Sequence, residues 1–444
     1  MKNTIKILFL SLVFMCSCDK AAEIGKVEKE DLFRVSQEDI ISYLTERKGV
    51  NVDAKSYSEI DIRPVLHNGD IIMYIVNYED GWDVLSADRR APVVLMTCDK
   101  GYLNEADMYL NDYQSEYMDV MKDAIYDLMA SDDTTVISDE DNWSGIVALS
   151  KNPDTWTDWY LTGSTTLIDT VTNINHLLTT HWGQQGKWNH KAPFTNSRKT
   201  VHCPTGCVMV AGSQLLYYLH YKIGTPLNTY SDCSCSAYVP DGSEYVFLND
   251  NDISFDESSY GSVYWDLMPL SESESVSQVR FDYVSTLMLR IGYLISAQYG
   301  AGGTGAPTFS LLPVFEDEFS ITGTCCYNDD FDIVRTEIYK GLPCIFSIGS
   351  KDGGHCVVAD GFRRIITFRR LFYQKHNNLG QIIKKEERVM EADRNFVAIN
   401  WGWDGYGDYD KNTGATIWYN TATINWQNYD RLKYILYGFE AIEN

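Results

Sequence analysis

Short apolar runs punctuated by turn residues fill the first part of the chain, and helical stripes follow. Ile71-Ile72-Met73-Tyr74-Ile75-Val76-Asn77-Tyr78 is almost wholly apolar or aromatic, Glu79-Asp80-Gly81 interrupts it, and Trp82-Asp83-Val84-Leu85-Ser86 resumes it. Two β-prone runs around a short glycine-containing loop predict a hairpin. Residues 93–97 predict another strand, and Met108, Leu110, Tyr117, Val120, Ala124 and Leu128 fall at helical spacing across 106–129. With a polar helical stretch after Lys29, this first unit reads as small and α+β. Residues 131–144, rich in Asp, Ser and Thr, read as an acidic exposed linker.

The pattern then changes. Val208, Ala211, Leu215 and Leu219 recur at helical spacing and stop near Gly224 and Pro226, which predicts a long buried helix opening at Cys207. Cys356-Val357-Val358-Ala359 and Phe396-Val397-Ala398-Ile399 predict two buried strands. His355 stands at the mouth of the first strand and Asn400 at the end of the second.

Composition and charge narrow the class. At 444 residues and 44% apolar content the chain can bury cores in two or three domains. Its net charge of −25 argues against a general nucleic-acid or anionic-membrane binder, because neutralising phosphates needs a basic face. At the N-terminus, Lys2 and Lys6 flank an apolar run over 5–15 that is too short to span a bilayer, which predicts a secretory signal. Ser17-Cys18 fits a lipobox, so residues 1–17 are expected to leave and Cys18 to carry a lipid anchor on an exported, cell-envelope protein at the outer membrane or cell surface. An ordinary secretion signal, or release of a mature form, is the alternative at this end.

Eleven cysteines suggest disulfides, which export permits, but pairing is not legible from sequence. Neither Cys233-Ser234-Cys235 nor Cys325-Cys326 has zinc-ligand spacing, and no metal or organic cofactor is expected.

Candidate chemistry lies in four separated segments: Trp182-Gly183-Gln184, Gly206-Cys207, Gly354-His355 and Asn400-Trp401-Gly402-Trp403. They supply an oxyanion donor, a thiol nucleophile, an imidazole base and an amide to orient it, in the order used by papain-like thiol hydrolases. A cysteine at a helix N-terminus sits among unpaired N–H groups that favour the thiolate. Gly206 permits an unusual backbone angle there. Taken singly, Cys207 reads as readily as an inert core thiol and His355 as a satisfied core histidine; the chemistry rests on the four segments together.

His181-Trp182-Gly183-Gln184 with Asn189, Gly206-Cys207-Val208, Gly354-His355 leading to Asp360-Gly361, and Asn400-Trp401-Gly402-Trp403 closely resemble the streptopain-type cysteine peptidases. The hairpin, Ser86-Ala87-Asp88 and Pro92-Val93-Val94-Leu95 resemble that family's inhibitory propeptide, so the likeness covers nearly the whole exported chain. The resemblance implies an α+β fold, a papain-like domain over 166–444 behind a prodomain over 18–165. It also implies Cys207 as nucleophile, His355 as proton acceptor, Gln184 in the oxyanion hole, and Gly305 and Gly354 as backbone contacts to substrate. Asn400 or Trp401 would position the imidazole; Asn400 is preferred because an amide accepts its N–H directly, with Trp401 shielding the pair. Gly300–Gly305 reads equally as a surface loop. Lys187, Cys356 and Gly305 depart from the family's usual residues, which leaves specificity open.

Residues 363–394 form an insertion between the histidine and asparagine strands, with six Arg and three Lys against four acids. Ile365-Ile366-Thr367-Phe368 and Gln381-Ile382-Ile383 around Asn377-Asn378-Leu379-Gly380 predict a long hairpin. The expected activity is endopeptidase cleavage of protein substrates through a thioester, held latent by the propeptide. A propeptide-like inhibitor protein is a further expected partner, while nucleic acid is not, and the membrane is met only through the anchor. A non-hydrolytic binding lipoprotein and a thiol amidase or acyltransferase are the alternatives.

Overall fold

The computed structural model describes residues 33–47, 60–109, 112–131, 159–195, 200–224, four short strands within 233–255, 262–327, 330–349, 354–376, 381–422 and 434–442. The signal region with Cys18, all of the acidic linker after Ser131, and the hairpin tip at 377–380 lie outside the described residues.

The first unit opens with α1 (Gln37–Arg47) and an antiparallel meander of β1 (Asp61–His67), β2 (Asp70–Tyr78), β3 (Gly81–Ser86) and β4 (Val94–Cys98). Tyr78 pairs with Gly81, so the predicted hairpin turns on Glu79 and Asp80 alone. α2 (Asp112–Ala130) lays Tyr117, Met118, Met121 and Ile125 on one face of this sheet, and α1 covers the other with Ile40, Tyr43 and Leu44.

β5 (Trp159–Ile174) and α3 (Cys207–Ile223) follow, and α3 ends on Gly224 in the left-handed region as the pattern predicts. Two small ribbons come next, β6 (Cys233–Cys235) with β9 (Ile253–Phe255) and β7 (Tyr238–Asp241) with β8 (Glu244–Phe247). The remainder is α4 (Gln278–Leu294), α5 (Leu311–Phe319), β10 (Ile321–Cys326), α6 (Phe331–Tyr339), β11 (Cys344–Gly349), β12 (Gly354–His376), β13 (Ile382–Asn400), β14 (Ile417–Asn420) and β15 (Ile435–Ala441).

One sheet runs through both units in the order β1-β2-β3-β4-β14-β13-β12-β11-β15-β10. The junction is β4 against β14, with Cys98 opposite Ile417, Thr97 opposite Trp418 and Met96 opposite Tyr419. Side chains alternate across β12: Cys356 and Val358 join the core under α3, α4 and α5, whereas Val357 and Ala359 join the core under α2 and α6. A strand covered on both faces reads as a continuous apolar run, which is why this segment is legible in the sequence.

The insertion is the predicted hairpin. β12 and β13 pair from Val358 opposite Asn400 out to His376 opposite Ile382, with register shifts between Ala359 and Gly361 and between Lys375 and His376. Arg364 pairs with Asp393 and Arg370 with Glu387, so two of the segment's acids are paired with its own arginines. A third strand was not foreseen: β5 lies along the other side of β12, from Ile174 opposite Phe362 to Trp159 opposite Lys375. The expected start of the catalytic unit at residue 166 therefore falls inside β5. An extended, unpaired chain enters a protease cleft more readily than a strand bound along its length. Any processing between the units is expected to leave β5 on the catalytic portion, with the new N-terminus before Trp159. Intact-mass measurement of the processed protein checks this, and a terminus between 165 and 173 would contradict it.

Candidate active site

Cys207 is the first residue of α3 and is partly exposed, while the rest of the first turns is buried. The chain reaches it through Gly206 at φ 94 and ψ 146, a region L side chains rarely adopt. A Cβ there would stand 2.4 Å from Met209 Cε and 2.7 Å from the Thr304 carbonyl oxygen. Glycine is thus required twice, by backbone angle and by close packing, and both needs fix where the thiol emerges. Asn189 braces the approach by donating to the Cys203 carbonyl at 3.1 Å.

Cys207 differs in exposure from the buried thiols. Burial pushes Cys203 up to about 11 and holds Cys344 well above the usual thiol range, so both stay protonated at neutral pH. Cys356 is likewise raised, by burial first and then by the nearby Cys207.

His355 is buried, next to Cys356 at the start of β12. Its Nε2 lies 3.1 Å from the Trp401 carbonyl oxygen. A carbonyl only accepts, so Nε2 carries the proton and Nδ1 is the basic nitrogen. Burial lowers the imidazole to about 4, partly offset by that carbonyl, so the neutral ring is favoured until a counter-charge appears beside it. The Trp401 indole lies nearly parallel to the imidazole, at 6.0 Å and 10°, and Trp403 covers it at 6.3 Å and 26°.

The imidazole's acceptor is therefore the backbone of Trp401 and not the Asn400 amide, which corrects the sequence expectation. Asn400 Oδ1 is occupied by the Gly402 N–H at 3.0 Å and by Gln214 Nε2 at 2.8 Å, and its Nδ2 donates to the Thr180 carbonyl at 2.9 Å. Asn400 still acts on the imidazole, at one remove. The Trp401–Gly402 peptide presents its carbonyl to His355 and its N–H to Asn400. On the other side, Trp401 N–H donates to Asp408 Oδ1 at 2.8 Å, a carboxyl that burial pushes up to about 8.

Gln184 is buried, and its Nε2 has no hydrogen-bond partner in the structure. Its own carbonyl accepts from Thr205 N at 2.9 Å, which ties it to the segment entering Cys207. An orphaned buried amide donor costs free energy unless something fills its place during the reaction. Gly183 before it leaves space for Asp404, whose carboxylate oxygen would stand 2.5 Å from a Cβ there. Asp404 accepts from the Trp188 indole N–H, and burial raises it to about 6.

A match to the peptidase C10 family covers residues 182–409, which is just over half of the chain and holds all four segments. The chain belongs to that family. Streptopain of Streptococcus pyogenes is 21% identical over 396 residues, spanning 84% of this chain and 82% of its own length, and the serotype M28 form is 20% identical over the same span. A prointerpain A fragment of Prevotella intermedia shares the fold, with TM-score 0.52 at 21% identity over 85% of this chain and 99% of the fragment. The chain is thus a cysteine-type peptidase of the C10 family with a papain-like α+β fold, and its likeness to the prointerpain A fragment reaches into the N-terminal unit.

In this C10 chain the two backbone candidates are both exposed. Gly354 is exposed and pairs with Gly349 at the ends of β12 and β11. Gly305 is exposed with open space beside its Cα, and it bridges Gln298 through two backbone bonds of 2.9 and 3.1 Å. Its neighbour Thr304 donates to the Pro204 carbonyl at 2.6 Å, so the glycine-rich segment is pinned against the entrance to α3. Three residues at the site were missed by sequence reading: Gln214, Asp408 and, from the first unit, Tyr117. The Tyr117 ring packs on Trp401 at 5.2 Å.

Proposed function

We propose that the protein is an exported, lipid-anchored endopeptidase made as a latent form, in which Cys207 attacks the peptide carbonyl and His355 moves the proton. The observation that carries this reading is the buried, unpartnered Nε2 of Gln184 tied to the entrance of the nucleophile's helix. His355 Nδ1 takes the thiol proton, and the thiolate that forms beside it offsets the cost of charging a buried ring. Gln184 Nε2 and the Cys207 backbone N–H then stabilise the oxyanion. Imidazolium protonates the leaving amine, a thioester remains on Cys207, and His355 activates the water that hydrolyses it.

Latency is supported by Tyr117. This residue of the first unit packs on Trp401, the residue that holds the imidazole, so the N-terminal unit bears on the site it would restrain. Cys18 as the lipid attachment rests on the Ser17-Cys18 pattern.

Iodoacetamide at neutral pH followed by peptide mapping tests the assignment. Cys207 is expected to label first, well ahead of Cys203, Cys344 and Cys356, whose burial keeps them as thiols. Preferential labelling of Cys203 would overturn it.

A further inference from the structure

Gln214 lies on α3 seven residues after Cys207, in a helix whose buried positions are mostly apolar, Val210, Ala211, Leu215 and Leu216 among them, with Ser213 the other buried polar side chain. Its side chain is fully buried and bonds two loops that come from distant parts of the chain. Oε1 accepts from Trp182 N at 3.2 Å and Thr180 Oγ1 at 2.9 Å, in the segment that delivers Gln184. Nε2 donates to Asn400 Oδ1 at 2.8 Å, and that same oxygen receives the Gly402 N–H. The orientation of both amides is fixed chemically. Trp182 N–H can only donate, so the Gln214 atom facing it is oxygen; Gly402 N–H can only donate, so the Asn400 atom facing it is oxygen.

We propose that Gln214 is a positioning residue for catalysis, setting the oxyanion donor and the imidazole-holding peptide in fixed relation to Cys207. One side chain on the nucleophile's own helix thereby joins the three parts of the reaction. Through Trp182 it sets Gln184, and through Asn400 it sets the Trp401–Gly402 peptide whose carbonyl receives His355. A buried amide in an apolar helix is costly unless fully bonded, and here every bond leads to a catalytic segment. The proposal rests on the assignment of Cys207, His355 and Gln184 made above.

The effect on His355 is selective. Its bond to the Trp401 carbonyl strengthens when the ring is charged, so loosening that peptide weakens the imidazolium more than the neutral ring. Of the titratable groups nearby, Cys356 follows His355 on β12, Asp408 holds the Trp401 N–H, and Cys207 is the ring's partner on the assignment above. None is altered by a change at Gln214, so a difference between variant and parent isolates the peptide's contribution.

The test uses full-length Gln214→Met and Gln214→Glu, processed by trace tagged parent enzyme that is then removed, and assayed on a small fluorogenic peptide. Met keeps the volume and removes all four of the side chain's hydrogen bonds, those Oε1 accepts from Trp182 N, Thr180 Oγ1 and Asn400 Nδ2 and the one Nε2 donates to Asn400 Oδ1. Its kcat is expected to fall on the order of 10- to 100-fold with KM within about threefold, as misplacement of reacting groups predicts. The alkaline limb of kcat/KM should move down by roughly half a pH unit or more, the scale of one weakened hydrogen bond. In Gln214→Glu the carboxylate cannot donate to Asn400 but the protonated acid can, so its activity relative to the parent should recover as pH falls. A Met variant within about threefold of the parent in kcat and with the same alkaline limb overturns the proposal. Where the Met variant does not fold, a Glu-to-parent ratio independent of pH overturns it. A parent that hydrolyses the peptide equally well as Cys207→Ala would instead refute the underlying assignment.

Discussion

Cys207→Ala is expected to lower hydrolysis of a small peptide by at least about 10⁴-fold, a loss on the order of 5.5 kcal/mol in transition-state stabilisation. The nucleophile acts as a unit with its base, so what remains is binding plus oxyanion stabilisation without covalent chemistry. The fold should survive, because Cys207 is partly exposed at the helix entrance and alanine suits a first helical turn. Cys203→Ala is the control. That thiol is buried, raised to about 11 and remote in function, so the variant loses some packing but retains activity. Initial rates normalised to folded protein decide the matter, and comparable hydrolysis by Cys207→Ala would remove the cysteine from the mechanism.

Gln184→Ala is expected to lower kcat by roughly 10²- to 10³-fold with little change in KM, the usual cost of one oxyanion donor. The bond between its carbonyl and Thr205 N belongs to the backbone and persists in the variant, so the loop should hold its place. Its Nε2 makes no bond in the resting structure, and deleting it should therefore leave thermal stability nearly unchanged. A large fall in Tm with an equal rise in KM would mark Gln184 as a structural residue. The distinction is sharp because an amide waiting for the transition state contributes nothing beforehand.

What the sequence disclosed depended on whether a role was carried by a side chain in a local pattern. The entrance of α3 was legible because Gly206, Cys207 and the apolar stripe behind them are contiguous. The β2–β3 hairpin and the strands that carry His355 and Asn400 were legible for the same reason. β1 was not, since only Val65 is buried among its seven residues and Pro64 interrupts it. β5 was not foreseen, and the unit boundary at 165/166 was drawn through it, because its partner, β12, lies nearly 200 residues away. Asn400 and Trp401 both stood as candidates to position His355, but that a backbone carbonyl does so could not be read, because every residue carries one and only the fold selects that of Trp401. Gln214 did leave a trace: a polar residue among the apolar positions of a buried helix, which calls for a partner.

The β4–β14 junction bears on how the chain assembles. β4 is made early in synthesis, and β14 follows only after roughly 320 more residues, so closing this pair is among the slowest contacts available to the chain by loop entropy. The meander and α2 are built from local contacts and can form first, offering a ready edge on which the late strand registers. A unit completed first would present that edge before the catalytic sheet is made. A catalytic portion produced without it would have to nucleate β14 on β13 alone, across the two residue pairs Phe396–Asn420 and Val397–Tyr419.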